Sequence, residues 1–133
     1  MDAAARFGDY IAAFNRGDAG AYGAYYCADV TLVIADHTIL RGPQAIFDFY
    51  AKIRAGTERT IHVRTAIANA DHLAAELESE FLATRDLPAF AAGPLRAGDR
   101  LQLNTFVLYD LEGDRYKRIR SATFRRRFIP AHG

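Results

Sequence analysis

The sequence predicts an α+β fold in which three N-terminal helices pack on one face of a curved antiparallel sheet. Two observations support this prediction. Apolar residues recur at helical spacing in the first half of the chain, and after Gly56 their period changes to two. The strand-like runs that follow are joined by turns and one loop, as in an antiparallel meander. Because the helices are grouped apart from the meander, we expect a cone-shaped sheet that encloses a small-molecule pocket.

The length, composition and charge are those of one globular domain spanning residues 1–133. A formal net charge of +1 gives no reason to expect a nucleic-acid or membrane partner. The basic residues near the C-terminus lack a nucleic-acid motif, and a glutamate-rich strand balances them. Cys27 is alone, so no intrachain disulfide or zinc cluster is expected. We expect no cofactor or metal ion, and a cytoplasmic location by default, because the N-terminus lacks a signal peptide's apolar core.

The first helix is predicted to begin after Asp2, a favourable N-cap, and to end at Gly17, a favourable C-terminal stop. One face carries residues at i, i+3, i+4 and i+7, namely Phe7, Tyr10, Ile11 and Phe14. Tyr10 is the one phenol on this apolar face, and its hydroxyl needs a polar partner if it is buried. That hydroxyl is therefore either a core hydrogen bond or part of an active site.

A short helix and a β-hairpin are predicted next. Asp18 is placed to cap the helix, which we expect to end near residues 27–29. The β-branched run 30–34 predicts a strand, residues 36–37 a turn, and residues 38–41 the returning strand.

The third helix is predicted to begin at Gly42-Pro43, because proline is favoured at the first helical position, and to end at Gly56. Its buried stripe consists of Ile46, Phe49, Tyr50 and Ile53.

Four long strands are predicted to complete the domain, at residues 60–68, 73–85, 101–111 and 115–128. Leu77 lies on the apolar parity of the second of these, opposite a row of glutamates, which is typical of a strand with one buried face. In the third, Asn104 shares its parity with Phe106, and we expect both inside the cone. The opposite parity is expected to form an outer apolar stripe of Leu103, Thr105 and Val107. Residues 86–99 form the longest loop, and its apolar residues are expected to fold over a neighbouring surface.

Several short runs resemble those of ketosteroid isomerases and related SnoaL-like proteins. They are Tyr10–Asp18, Ala28–Thr31, Arg41-Gly42, Ile46–Tyr50, Asn104–Phe106, Gly113 and Ile119-Arg120. The resemblance covers nearly the whole chain and implies the nuclear-transport-factor-2-like, or cystatin-like, fold. That fold carries isomerases, cyclases, dehydratases, epoxide hydrolases and non-catalytic binding modules, so fold alone does not choose among them.

The resemblance implies only part of an isomerase site. Ketosteroid isomerases donate to an oxyanion from a helix tyrosine and a protonated strand aspartate, and a second aspartate moves the proton. Tyr10 corresponds to that tyrosine, and Asn104 stands in place of the donor aspartate. Ile34 stands at the base position and cannot move a proton. Asp36, two residues further on, is the candidate substitute if the turn bends it inward. Asp36 and His37 could form a catalytic pair at the pocket mouth, although a solvated turn is the simpler interpretation.

A second comparison concerns the dehydratase branch of the same fold. His62 is similar to the catalytic histidine of scytalone-dehydratase-like members, but Asn15 stands where those enzymes carry an acidic residue. The strand parity that His62 shares with Arg64 indicates a polar face, while the comparison indicates the pocket, and both interpretations stay open.

Two functions are consistent with these residues. The first is an enzyme that transfers a proton on a small apolar cyclic or carbonyl metabolite, with Tyr10, His62, Asn104 and Asp36 as candidate catalytic residues. The candidate substrate-binding residues are Phe14, Tyr26, Phe47, Tyr50, Leu77 and Phe106. The second is a non-catalytic module that binds a ligand or a partner chain. The resemblance also implies a homodimer that pairs through the outer face of the sheet.

Overall fold

The computed structural model describes residues 2–132 and contains the predicted order of elements. The helices are α1 (Ala3–Asn15), α2 (Ala19–Gly23) and α3 (Pro43–Gly56). The strands are β1 (Tyr26–Ile34), β2 (Thr38–Arg41), β3 (Thr57–Ala68), β4 (His72–Ala83), β5 (Arg100–Glu112) and β6 (Arg115–Ile129). The α+β prediction is thereby confirmed. None of the helices within residues 2–132 is long and apolar enough to cross a membrane.

The predicted helix ends are confirmed by their hydrogen bonds. The Asp2 carboxylate accepts from the backbone N–H of Ala5 at 2.7 Å, and the Asp18 carboxylate accepts from that of Ala21 at 3.1 Å. Gly17 follows α1 with a φ of 70°, a conformation that glycine adopts without strain. Pro43 occupies the start of α3, as expected.

The six strands form one sheet in the order β2-β1-β6-β5-β4-β3. All neighbouring strands are antiparallel except β1 and β6, which run parallel. The sheet is therefore mixed, and the prediction of a wholly antiparallel sheet was wrong in this respect. The last strand lies inside the sheet, between β1 and β5, where it joins the hairpin at the start of the chain to the meander.

The segment between α2 and β1 also differs from its prediction. The helix ends at Gly23, not near residues 27–29, and the chain is already extended at Tyr26. The backbone N–H of Tyr116 in β6 donates to the carbonyl of Tyr25 at 2.7 Å. Pairing with a strand from the other end of the chain therefore overrides the local helical pattern, which sequence spacing alone does not reveal.

The parity predicted for β5 was wrong. Leu77 pairs with Thr105, and because directly opposed residues of antiparallel strands face the same side, Thr105 points inward with Leu77. Leu103, Thr105 and Val107, which we expected to form an outer stripe, all line the interior. Asn104 and Phe106 consequently lie on the outer face of the sheet.

Candidate active site

A cavity of about 350 Å³ lies between the concave face of the sheet and helices α1 and α3. Its walls are mostly apolar, and its polar groups are tyrosine, serine and threonine hydroxyls, two arginines and one histidine. Residues 90–92 of the long loop close one side, where Phe90 packs against Phe81 at a centroid distance of 5.6 Å. Among the described residues that line the cavity, none is an aspartate or a glutamate.

Two phenols meet inside this cavity. Tyr10 of α1 and Tyr26 of β1 share a hydrogen bond of 2.7 Å between their hydroxyl oxygens, and both residues are buried. Each hydroxyl carries one proton, and the bond between them uses one of the two. In the described part of the chain the remaining proton has no side-chain or backbone acceptor, so the pair retains one O–H that can donate to a ligand.

Burial keeps these phenols protonated. It raises the pKa of Tyr10 and of Tyr26 well above the ordinary value of 10.0, and the Tyr10 pKa is raised further by its neighbour Tyr26. Burial likewise raises the pKa of Tyr109, which lines the same cavity. At neutral pH all three are hydrogen-bond donors and cannot serve as bases.

Arg59 of β3 brings a positive charge into the cavity wall. One of its terminal nitrogens donates to the hydroxyl of Ser79 on β4 at 3.2 Å, and Ser79 is itself buried. The Arg59 Nε is buried with no hydrogen-bond partner. No carboxylate of residues 2–132 lies within 4.0 Å of the guanidinium, so this cation has no counter-ion in that part of the chain.

The turn between β1 and β2 forms part of the cavity mouth. Ala35, His37 and Thr38 line it, and Ile34 lies just inside. The His37 Nδ1 is 2.7 Å from the Thr38 hydroxyl oxygen, which orients the ring and leaves Nε2 free of that contact. Asp36 is exposed and does not line the cavity. Of the Asp36-His37 pair, the histidine is therefore the residue that faces the ligand space.

The structure brings five of the residues suggested by the sequence into the cavity wall, which are Tyr10, Phe14, Tyr26, Tyr50 and Leu77. Phe47 packs behind Tyr26 and against Tyr22, at centroid distances of 6.4 and 5.5 Å, and does not line the cavity. Its ring supports the wall rather than forming it.

Three of the suggested residues lie on the outer face of the sheet. His62 is half exposed, with its Nε2 4.0 Å from a carboxylate oxygen of Glu80. Asn104 pairs with Glu78, which also faces outward. Phe106 is 54% exposed and stacks on Phe124 at 4.2 Å. These positions separate His62 and Asn104 from the Tyr10 hydroxyl by the thickness of the sheet.

Arg59 and Ser79 were missed, although the sequence contained a signal for both. Arg59 has the parity of Ile61, which was predicted to face inward, and Ser79 has the parity of Leu77. A charged or hydroxyl residue on an apolar parity must find a polar partner or a ligand. Tyr109 was missed because the parity of its whole strand was reversed.

A further group of potential metal ligands lies away from the cavity. Cys27, Asp29 and Glu112 each offer one potential ligand atom, and these three atoms lie within 4.8 Å of one another. The Glu112 carboxylate is already paired with Lys117 at 3.3 Å, and burial raises the pKa of the Cys27 thiol, which disfavours the thiolate that binds metals. We assign no metal to this group.

A comparison with models of known protein families identifies the family of this chain. A family model described as a SnoaL-like domain matches residues 7–119, which include Tyr10, Tyr26 and Arg59. The chain belongs to the SnoaL-like domain family.

Solved structures with the same fold come from several bacteria. This SnoaL-like domain is 22% identical to a proposed polyketide cyclase from Pseudomonas putida KT2440, with a TM-score of 0.77 over 92% of this chain and 91% of that one. It is 13% identical to a proposed polyketide cyclase from Streptomyces antibioticus, with a TM-score of 0.76 over 93% of each chain. An LEH-like epoxide hydrolase from M. tuberculosis is also 13% identical, with a TM-score of 0.71 over 91% of this chain and 81% of that one. At these sequence identities the likeness to solved structures shows the fold alone. A search of curated proteins found no match to this chain.

Proposed function

We propose that this SnoaL-like domain is an enzyme that transfers a proton on a small, apolar, cyclic metabolite carrying a carbonyl group. The observation that supports this proposal best is the unused proton of the Tyr10–Tyr26 pair inside an apolar cavity. A donor held away from water stabilises a developing oxyanion far more than the same donor does in water. The cavity walls select an apolar ring, and the phenol pair selects an oxygen on it.

In this proposal the tyrosine pair binds the carbonyl oxygen and His37 moves the proton. Imidazole exchanges protons near neutral pH, and His37 is the histidine that lines the cavity mouth. Asp36 adjoins it in the turn and would act only through His37, because its own side chain lies outside the cavity wall. His62 and Asn104 have no part in this mechanism, since both face away from the cavity.

Turnover of model ketones tests the proposal. Deuterium exchange α to the carbonyl would be followed by NMR for a panel of cyclic ketones, and dehydration for the corresponding β-hydroxy ketones. We expect Tyr10→Phe to lower kcat by roughly 10²–10³-fold, the typical cost of losing one oxyanion donor. We expect His37→Ala to lower it by about 10²-fold or more, because the general base is removed.

His62→Ala is the matched control for His37→Ala. It removes the same side chain from the opposite face of the sheet, so it should leave turnover unchanged. The enzyme proposal is abandoned if no member of the panel exchanges or dehydrates, or if Tyr10→Phe and His37→Ala both retain wild-type rates.

A non-catalytic ligand-binding module is the second candidate. It is favoured by Ile34, which lines the cavity where ketosteroid isomerases place their base, and by the lack of carboxylates among the described lining residues. Under this alternative, cyclic ketones would bind and quench tyrosine fluorescence while undergoing no exchange. Under the enzyme proposal, Tyr10→Phe would lower both the affinity for cyclic ketones and the rate of deuterium exchange relative to wild type.

We also propose that the domain forms a homodimer through the outer face of its sheet. Support comes from a cluster of exposed apolar side chains on that face, Ile67, Phe106 and Phe124, each at least 50% exposed. An apolar patch of this kind is typical of protein interfaces.

A further inference from the structure

We propose that Arg59 is the docking group for a ligand carboxylate, so that the substrate of this domain is a small cyclic acid and not a neutral ketone. The inference deepens the proposed function and rests on it, because it concerns the same cavity. It starts from Arg59, a partly buried cation that β3 holds among the aromatic residues of this cavity.

The guanidinium is held in a fixed place by the residues around it. Its central carbon lies over the rings of Phe81, Phe14 and Tyr50, at 4.8, 5.4 and 5.4 Å from their centroids. Cation–π contacts of this kind attract a cation without neutralising it. Ser79 fixes one edge of the planar guanidinium group by accepting one hydrogen bond from it. The aromatic residues therefore position the charge, and they also offer flat surfaces to a ring attached to the incoming acid.

The hydrogen-bonding capacity of Arg59 is largely unused. Within residues 2–132, the bond to Ser79 is its one hydrogen bond, and its buried Nε has no partner. A buried polar group without a partner costs free energy, and a buried charge without a counter-ion costs more. A carboxylate in the cavity would balance the charge of the cation, and its oxygens would accept from terminal guanidinium N–H groups that Ser79 does not use.

The backbone beneath Arg59 is anchored. Asn15 at the end of α1 donates to the carbonyl of Ile61 at 3.0 Å and accepts from the Ile61 backbone N–H at 2.8 Å. Because Ile61 lies two residues after Arg59 on the same face of β3, this clamp holds the strand at the point where it presents the guanidinium. The anchoring suits a site that must bind an anion with fixed geometry.

The position of Arg59 relative to the phenol pair defines the substrate class. The ring of Phe14 lies 6.4 Å from that of Tyr10 and 5.4 Å from the Arg59 guanidinium carbon, so one aromatic side chain adjoins both groups. A ligand that reaches both carries a carboxylate and a carbonyl oxygen on a small cyclic skeleton. A phosphate dianion fits less well, because Arg59 alone does not neutralise it, and the other arginine among the described lining residues, Arg126, is exposed and donates its Nε–H to the Ala92 carbonyl.

A charged and a neutral probe of the same shape test the inference. Calorimetric titration would compare 2-naphthoate with 2-naphthamide on the wild-type domain and on Arg59→Met. We expect the wild type to bind the naphthoate at least about tenfold more tightly, as for charge-assisted hydrogen bonds in a cavity. Arg59→Met should remove that preference while retaining the affinity for naphthamide.

Two further variants serve as controls. Arg64→Met removes an arginine that pairs with Glu78 on the outer face of the same strand, and it should leave both affinities unchanged. Arg59→Lys keeps the positive charge but loses the planar guanidinium group. We expect its preference for naphthoate over naphthamide to lie between those of the wild type and Arg59→Met. If Arg59→Met does not fold, the Arg59 Nε–H resonance of the wild type provides a second readout, and it should shift with naphthoate but not with naphthamide.

The inference is overturned if the wild type binds neither probe, binds both equally, or keeps its preference in Arg59→Met. Its failure is distinct from failure of the proposed function. Naphthoate binding without exchange on any ketone supports the carboxylate site and removes the enzyme proposal. Exchange on neutral ketones by a wild type that does not prefer naphthoate to naphthamide supports the enzyme and removes the carboxylate site.

Discussion

At the scale of single residues, the Tyr10 hydroxyl bears on both stability and the proposed chemistry. The sequence indicated that a phenol on the apolar face of α1 needs a polar partner, and the partner is Tyr26, not Asn104. Two buried phenols that satisfy one another form a pair whose members depend on each other. Removing one hydroxyl leaves the other unpaired in an apolar environment.

Phenylalanine substitutions measure this dependence. We expect Tyr10→Phe and Tyr26→Phe each to lower the free energy of unfolding by about 1–2 kcal/mol, because each leaves a buried hydroxyl without its partner. The double variant leaves no hydroxyl unpaired and should cost less than the sum of the two. Urea unfolding of the four proteins gives the coupling free energy. Additive losses would show that the 2.7 Å contact contributes nothing to stability.

The same tyrosines predict an alkaline limit of stability. Burial raises the pKa of Tyr10, Tyr26 and Tyr109 in the folded state well above 10.0, the ordinary value that the unfolded chain retains. The folded state therefore holds these protons more tightly. The contribution of these phenols to the free energy of unfolding is fully present below pH 10.0, and it falls as the pH rises through and beyond that value.

Urea unfolding from neutral pH upward checks this dependence. We expect a decline above pH 10.0 that is shallower in Tyr109→Phe, which has one buried phenol fewer. Phenolate absorbance should appear for the buried tyrosines only together with loss of near-UV circular dichroism. A stability that stays constant through this range contradicts the raised pKa values.

At the scale of elements, the contact most sensitive to mutation is the clamp of two hydrogen bonds from Asn15 of α1 to the Ile61 backbone of β3. β3 is an edge strand, so the outward backbone groups of Ile61 have no neighbouring strand, and the Asn15 amide satisfies both of them. This asparagine was noted in the sequence only as a residue that departs from the dehydratase pattern. Its role depends on which strand lies at the sheet edge, and that order is not readable from local spacing.

Two substitutions at Asn15 distinguish its donor from its acceptor role. We expect Asn15→Ala to lower the free energy of unfolding by about 1–3 kcal/mol, because two backbone groups lose their partner. Asn15→Asp keeps the acceptor but sets a carboxylate oxygen against the Ile61 carbonyl. It should therefore be less stable than wild type at neutral pH and recover in part when acidified. Thermal unfolding of both variants checks this, and an Asn15→Asp protein as stable as wild type would rule out the clamp.

The accuracy of sequence reasoning also differs between elements. The helices, their caps and the inward parity of β4 were predictable, because charged and apolar residues alternate there and the capping residues act locally. In β5 both parities carry apolar side chains, so the register with β4 decides which of them faces inward. Tyr109 lies in this strand, and the Tyr10–Tyr26 pair joins a helix to a strand across the fold, which is why the site was predicted only in part.

At the scale of the whole molecule, the outer face of the sheet predicts association. Phe106 and Phe124 stack on one another while each remains at least half exposed, and Phe124 lies at a β-bulge in β6. Ile67, Ala74 and Ala122 lie near them on this face, and the Arg64–Glu78 ion pair lies near the middle of β3 and β4. A second copy of the chain that covers this face would bury these apolar side chains.

A charge placed in this patch tests the dimer. We expect wild type to sediment as a dimer at micromolar concentration and Phe124→Lys as a folded monomer, because the lysine would be desolvated in the interface without a partner. Ala12→Lys places the same charge on an exposed position of α1 and should leave the dimer intact. Monomeric wild type at this concentration would refute the interface.

The central place of β6 has a consequence for how the protein is made. The parallel pairing of β1 with β6 joins segments from the two ends of the chain, and such distant contacts form late because a large loop must close first. A nascent chain that still lacks residues 115–129 has helices, a detached hairpin and a three-stranded meander, but no closed cavity. A ligand therefore cannot guide the early steps of folding on the ribosome, and it can only stabilise the domain after the last strand has inserted.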